Sequence, residues 1–204
     1  MNRQEEKTID CYSAGERAAM VRGQRLRAWF LRPALDRLIA RGWRADHLTL
    51  ASTLVGLAFC PMYLYGYRAA AFAALALHVI LDGLDGPLAR RAGTAGRRGS
   101  LTDSMADQVV IAATTLTLMI DHQIGVAAGA CYVFFYTVVV LFAMARNALG
   151  IPYRWLVRPR FFVYAWAAVS VWWWPGTLEY VLWLSNALLA GQMLSGFVRL
   201  RRRL

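Results

Sequence analysis

Two pairs of aspartates carry the chemistry legible in this sequence. Asp82 and Asp85 are spaced i,i+3 in Asp82-Gly83-Leu84-Asp85-Gly86, and Asp103 and Asp107 are spaced i,i+4 in Asp103-Ser104-Met105-Ala106-Asp107. Either spacing places both carboxylates on one face of a helix. The flanking sequence is apolar enough to lie in a bilayer, where ionisable side chains are expensive and mark functional sites. Four facing carboxylates repel one another, so cations must hold them together. With no His or Cys beside them, the donors are hard oxygens that select Mg²⁺ or Mn²⁺, with a substrate phosphate completing the coordination sphere. A two-ion site is expected. Gly83 and Gly86 leave the backbone beside the carboxylates open to a ligand, and Arg90, about a turn and a half beyond Asp85, is within reach of a diphosphate.

The elements that must position these residues are membrane helices. Of 204 residues 58% are apolar, too many for a soluble domain of this size, so the fold class expected is an all-α integral membrane protein. The net charge of +11 comes almost wholly from arginines in clusters. Clustered arginine suits anionic lipid headgroups and phosphorylated substrates, and nucleic acid is not expected as a partner. Cys11, Cys60 and Cys131 have no metal-ligand or redox spacing and read as small core residues. No cleavable signal peptide is expected, because the first forty-odd residues have no apolar h-region.

Residues 1–20 are polar and without periodicity. From Gln24 to Gly42, Leu26, Trp29, Phe30, Leu31, Leu35, Leu38 and Ile39 recur at helical spacing against arginines, which predicts an amphipathic helix in the membrane surface. Six transmembrane helices are predicted after it, over 47–66, 68–88, 101–121, 126–146, 159–175 and 178–198. The chain therefore divides into a cytoplasmic segment with its surface helix, 1–46, and a six-helix catalytic domain, 47–204. Arg90, Arg91, Arg97 and Arg98, then Arg146 to Arg160, then Arg199 to Arg203 all fall on the side of the basic N-terminal segment, whereas the opposite turns hold only Arg68. The positive-inside rule puts both termini and these loops in the cytoplasm. Depth then tests whether the aspartates meet: Asp82 lies fourteen residues after Arg68 and Asp107 fourteen before Asp121, so each sits about 21 Å from the outer face. The two pairs are level, and the second and third spans are expected to be antiparallel neighbours around one cavity open to the cytoplasm.

The full pattern D-x-x-D-G-x-x-A-R, eight residues, G-x-x-x-D-x-x-x-D is matched by Asp82, Asp85, Gly86, Ala89, Arg90, Gly99, Asp103 and Asp107 without a gap. It resembles the signature of the CDP-alcohol phosphotransferases, and six spans behind a surface helix fit that family as well. The resemblance implies cleavage of a CDP-linked donor, usually CDP-diacylglycerol, with transfer of a phosphatidyl group to a polar alcohol and release of CMP. It implies that Asp82, Asp85 and Asp103 ligate the metals, with Asp107 shared between metal contact and general base. Thr49, Asp82, Gly86, Ala89, Arg90 and Gly99 would form the donor pocket. A homodimer in a bacterial inner (cytoplasmic) membrane, with the active site cytoplasmic, is also implied. One departure lies upstream: family members often begin the first span with Pro-Asn-x-x-Thr, and here Thr49 is kept while Ala45 and Asp46 replace the first two residues.

For the acceptor, Arg146, Arg158, Arg160 and Arg199 crowd the cytoplasmic helix ends, and Arg160 lies about 21 Å from Trp174, level with the aspartates. They suggest an anionic acceptor, and the segment faintly resembles the prokaryotic phosphatidylinositol-phosphate synthases, which implies a phosphorylated polyol such as inositol phosphate. Glycerol-3-phosphate, serine or another amino alcohol are the alternatives. A cation channel or transporter is the alternative of another class, but it predicts acids along a through-route, and here they cluster at one depth. His78 and His122 have no ligand partner in the pattern and read as structural, and Trp172 to Trp174 with Tyr180 read as an outer aromatic belt.

Overall fold

The computed structural model describes residues 31–203, and every regular element among them is helical. A helix over residues 31–40 (α1) is followed by α2 (Ala45–Leu64), α3 (Arg68–Arg91), α4 (Arg97–Ile120), α5 (Val126–Ala148), α6 (Arg160–Trp172) and α7 (Thr177–Arg201). Residues 1–20 and the first part of the amphipathic segment, 24–30, lie outside the described residues, as does Cys11. Four helices, α2, α3, α5 and α7, are long and apolar enough to cross a bilayer, so the protein is an integral membrane protein. The helix α4 is as long as α3 but carries Arg97, Arg98, Asp103 and Asp107 in its first half. The helix α6 is shorter than expected: its 13 residues rise about 20 Å, against a hydrocarbon core of about 30 Å. It ends at Trp172 because the chain turns through Pro175 and Gly176, whose φ of 81° suits a residue without a side chain.

Helix α2 organises the bundle around the aspartates. It packs against both α3 and α4, while α5 packs against α4 and α7, and α6 against α7. The expectation that α3 and α4 are direct neighbours is therefore corrected, since they are not themselves a closely packed pair and α2 holds them at a distance. Gly56 makes this contact possible. A Cβ there would lie 2.9 Å from both methyls of Val110 on α4 and 3.0 Å from the His78 ring on α3. His78 is buried, and its Nδ1 lies 2.8 Å from Ser52 Oγ and 3.0 Å from the Ser52 carbonyl oxygen, a structural clasp between α2 and α3. Gly56→Val should overpack this junction and destabilise the protein by about 1–3 kcal/mol. Thermal unfolding in detergent would show it as a lowered midpoint, and an unchanged midpoint would mean that the three helices repack freely.

The surface helix is tied to the same end of the bundle. Leu35 of α1 is buried with Leu48 of α2 and Leu88 of α3, and Arg91 at the end of α3 donates to Asp36 through Nε at 2.5 Å and Nη2 at 2.9 Å. The hydrogen bond from Arg91 holds the Asp36 carboxyl below its usual range. Arg32, Arg37 and Arg41 remain exposed on the opposite face, as amphipathic spacing requires. Within the bundle, polar side chains pin helices to one another: Asn186 donates to the Ala128 carbonyl oxygen at 3.0 Å, and Thr137 donates to Gln108 at 2.9 Å. Cys60 and Cys131 are free and partly buried, as small packing residues would be.

Candidate active site

The i,i+3 and i,i+4 spacings act as the helical period requires. Asp82 and Asp85 project from the later half of α3, Asp103 and Asp107 from the first half of α4, and both pairs turn to the space that α2 holds open. Asp82, Asp85 and Asp103 each offer one carboxylate oxygen, and these oxygens all lie within 4.8 Å of one another. Thr49, near the start of α2, donates its hydroxyl to Asp85 Oδ2 at 2.7 Å, which fixes the orientation of that carboxylate. Thr49 therefore touches the acidic cluster itself.

Asp107 is held differently. Its Oδ2 is paired with Nη1 of Arg160, and the same guanidinium donates through Nη2 to Asp82 Oδ2 at 2.8 Å. The side chains of Arg160, Asp82 and Asp107 are 9%, 13% and 15% exposed, so this bridge is largely withdrawn from solvent. Four carboxylates thus face one guanidinium, too little positive charge for their number. Asp103 Oδ1 and Asp107 Oδ1 are moreover buried with no hydrogen-bond partner. Buried acceptors are ordinarily satisfied, and orphaned carboxylate oxygens in a hard-oxygen cluster are the donor set a small divalent ion takes. The residues present therefore fit a metal.

Beside the cluster, a Cβ on Gly86 would lie 3.4 Å from Nη1 of Arg90, so the Arg90 guanidinium lies along a stretch of backbone that only glycine leaves bare. Ala89 is half-buried on the same helix, and Gly99, at the start of α4, has open space where a side chain would be. Gly86, Ala89 and Arg90 follow Asp85 on α3, and Gly99 precedes Asp103 on α4, so these positions flank the carboxylates along the chain.

The four arginines expected to converge on an acceptor do not come together. Arg160 lies with the aspartates. Arg146 is fully buried on α5, donates through Nε to the Ile151 carbonyl oxygen at 2.9 Å and through Nη2 to that of Pro152 at 3.1 Å, and stacks 3.7 Å from the Tyr153 ring centroid. It supports the irregular linker between α5 and α6. Its Nη1 is buried without a hydrogen-bond partner. Arg146 and Arg199 share a cleft of about 360 Å³ with Arg202, Arg203, Ile151 and Pro152. Arg158 is half-buried just before α6 and is not among the residues lining that cleft. The sequence reading missed Arg202 and Arg203 as partners of Arg199; they follow the last residue of α7, where the chain turns them into the same cleft.

Comparison with known proteins agrees with the site. Among curated protein sequences no significant match is found. A solved structure of similar fold is the crystal structure of Mycobacterium tuberculosis phosphatidylinositol phosphate synthase with CDP-DAG bound, which superposes with a TM-score of 0.69 at 22% sequence identity over 81% of this chain and 90% of that chain. Residues 43–196, from just before α2 into the last turns of α7, match the CDP-alcohol phosphatidyltransferase family model. The matched segment contains every aspartate of the cluster, Thr49 and Arg160, so the chain belongs to the CDP-alcohol phosphatidyltransferase family of metal-dependent enzymes.

Proposed function

We propose that this enzyme transfers the phosphatidyl group of CDP-diacylglycerol to a phosphorylated polyol such as inositol phosphate, with release of CMP. The observation that carries the reaction is the acidic cluster: three carboxylates within 4.8 Å of one another, beside a fourth with one anchored and one orphaned oxygen. Asp82, Asp85 and Asp103 would hold Mg²⁺ or Mn²⁺, and Asp107 would be shared between contact with a second ion and the general-base role. Bound there, the divalent charge offsets the donor diphosphate and the departing CMP. Thr49 keeps Asp85 turned to the site, while Gly86, Ala89, Arg90 and Gly99 form the wall against which the cytidine diphosphate lies.

The acceptor hydroxyl oxygen attacks the phosphorus linked to diacylglycerol, the bond from that phosphorus to the CMP oxygen breaks, and the hydroxyl proton passes to Asp107 Oδ1. Asp107 suits this role because Arg160 fixes Oδ2 and so aims Oδ1. The chain carries arginine loops that support a topology with both termini and this site on the cytoplasmic side of a bacterial inner membrane, with α2 to α7 crossing, the short α6 among them, and residues 1–46 on the surface. It is taken to act as a homodimer.

The arginine cleft supports an acceptor that carries a phosphate. Arg146, Arg199, Arg202 and Arg203 line this one cleft, and guanidinium groups are the side chains best suited to take a phosphate bidentately. Arg158, just before α6, is a further residue assigned to this acceptor. The structural likeness to the mycobacterial synthase points the same way. Incubating the purified chain with CDP-diacylglycerol, Mn²⁺ and a panel of inositol phosphate, glycerol-3-phosphate, serine and neutral alcohols, with CMP and lipid product followed by mass spectrometry, tests the assignment. Arg199→Ala should raise KM for the phosphorylated acceptor roughly tenfold or more with donor affinity unchanged, the effect of one lost charge-assisted hydrogen bond. Equal use of serine, with KM insensitive to Arg199, would assign these arginines to membrane topology alone.

A further inference from the structure

Arg160 sits between the two halves of the acidic cluster. Its guanidinium spans Asp82 and Asp107, one carboxylate from each half of the acidic pattern. The set formed by Asp82, Asp85 and Asp103 is complete without Asp107, so one ion can bind while the guanidinium stays seated. Among the described residues the remaining carboxylate of the cluster is Asp107, so a second ion would draw on Asp107 and on its neighbour Asp82. Those are the two residues that Arg160 holds. Its Nε is buried without a hydrogen-bond partner, and besides the two aspartates the guanidinium touches the Phe161 ring, 4.4 Å from Cζ to the centroid, so its ion pairs are the polar contacts a competing ion would have to replace.

Resting on the metal-site reading proposed above, we infer that Arg160 is a built-in counter-cation that competes with the second divalent ion for Asp107 and Asp82. Seated, it keeps Asp107 outside the metal sphere with Oδ1 open to accept a proton. Entry of the second ion requires the guanidinium to withdraw, since two cations at contact distance from the same carboxylates repel strongly where little water screens them. Arg160 is in this account a positioning residue for Asp107 and a determinant of how many ions the cluster retains, and not a ligand of the acceptor.

The test is a titration of the full-length, metal-stripped protein in detergent with Mn²⁺ alone, free Mn²⁺ being read by electron paramagnetic resonance. The wild type should show one tighter and one weaker ion. Arg160→Gln removes the competing charge and should lower the Kd of the weaker ion roughly ten- to a hundred-fold. Arg160→Lys keeps the charge but not the fork that reaches both carboxylates, so it should tighten the same ion by a smaller factor. Should the glutamine variant not fold, the lysine variant alone decides by the sign of its effect. A residue that merely supports the fold would give the opposite result, a loosened cluster that binds both ions more weakly. Unchanged or weakened binding of the second ion in these variants overturns the inference while leaving the metal site standing. A wild type that takes up no Mn²⁺ overturns both, and Asp85→Asn, which should weaken the tighter ion, shows which site is being read.

Discussion

Asp107→Asn should lower turnover roughly 10²–10⁴-fold while leaving affinity for the CDP-linked donor nearly unchanged, the signature of losing a general base and not a binding group. The amide matches the carboxylate in size and keeps an oxygen that can accept from Arg160, so the packing between α4 and α6 survives. What it cannot do is take a proton. The geometry makes this position the natural base: Oδ2 is anchored by Arg160, Oδ1 is buried with no partner, and Asp107 is the one carboxylate of the four outside the closely spaced set of three. Steady-state CMP release and equilibrium donor binding, measured on the same preparation, separate the two effects. A variant with near wild-type turnover would place the base elsewhere, and one that has lost donor binding would make Asp107 chiefly a metal ligand. Asp107→Ala is a weaker probe, because it also leaves the Arg160 guanidinium half unpaired in a buried place, a loss that costs about 3–5 kcal/mol in its own right.

The acidic cluster was legible in the sequence because helical periodicity alone fixes which side chains share a face, and counting residues from the opposite turns fixed their depth. Asp82, Asp85 and Asp103 meet as that reckoning requires. Thr49 could be singled out by its place in a recurring pattern, but that it bonds Asp85 depends on the packing of α2, which no local signal records. The neighbour relation of α3 and α4 was misread for the same reason. A short loop implies adjacency, yet a glycine at position 56 lets α2 pack closely on both helices, so that α3 and α4 meet chiefly through their aspartate side chains. The arginines divide instructively. Depth put Arg160 level with the aspartates, and that number already contained its ion pairs, although it was assigned to an acceptor. For Arg146 the bonds to the Ile151 and Pro152 carbonyl groups were not legible, because they belong to an irregular linker whose path has no periodicity to read.

Chelation of divalent ions should abolish turnover, and Mn²⁺ or Mg²⁺ should restore it. Four carboxylates converge here on one guanidinium, with Asp103 Oδ1 and Asp107 Oδ1 buried and unpartnered, so the cluster without divalent charge repels the diphosphate it must receive. Asp103→Ala should reproduce most of that loss in the presence of excess metal. Asp103 is the only member of the three-carboxylate set contributed by α4, so its removal leaves a site built from one helix face. The expected fall in metal affinity exceeds the 10–100-fold typical of removing an outer partner of a metal ligand, and activity should fall with it. Asp85→Asn should be milder, since Thr49 can still bond the amide oxygen and one donor atom survives. The order Asp103→Ala worse than Asp85→Asn, read as Mn²⁺ affinity and as CMP release in parallel, is the sharp form of the expectation. Full activity after exhaustive chelation, or two variants that lose turnover with Mn²⁺ affinity intact, would show that these carboxylates serve the reaction in some way other than by holding metal.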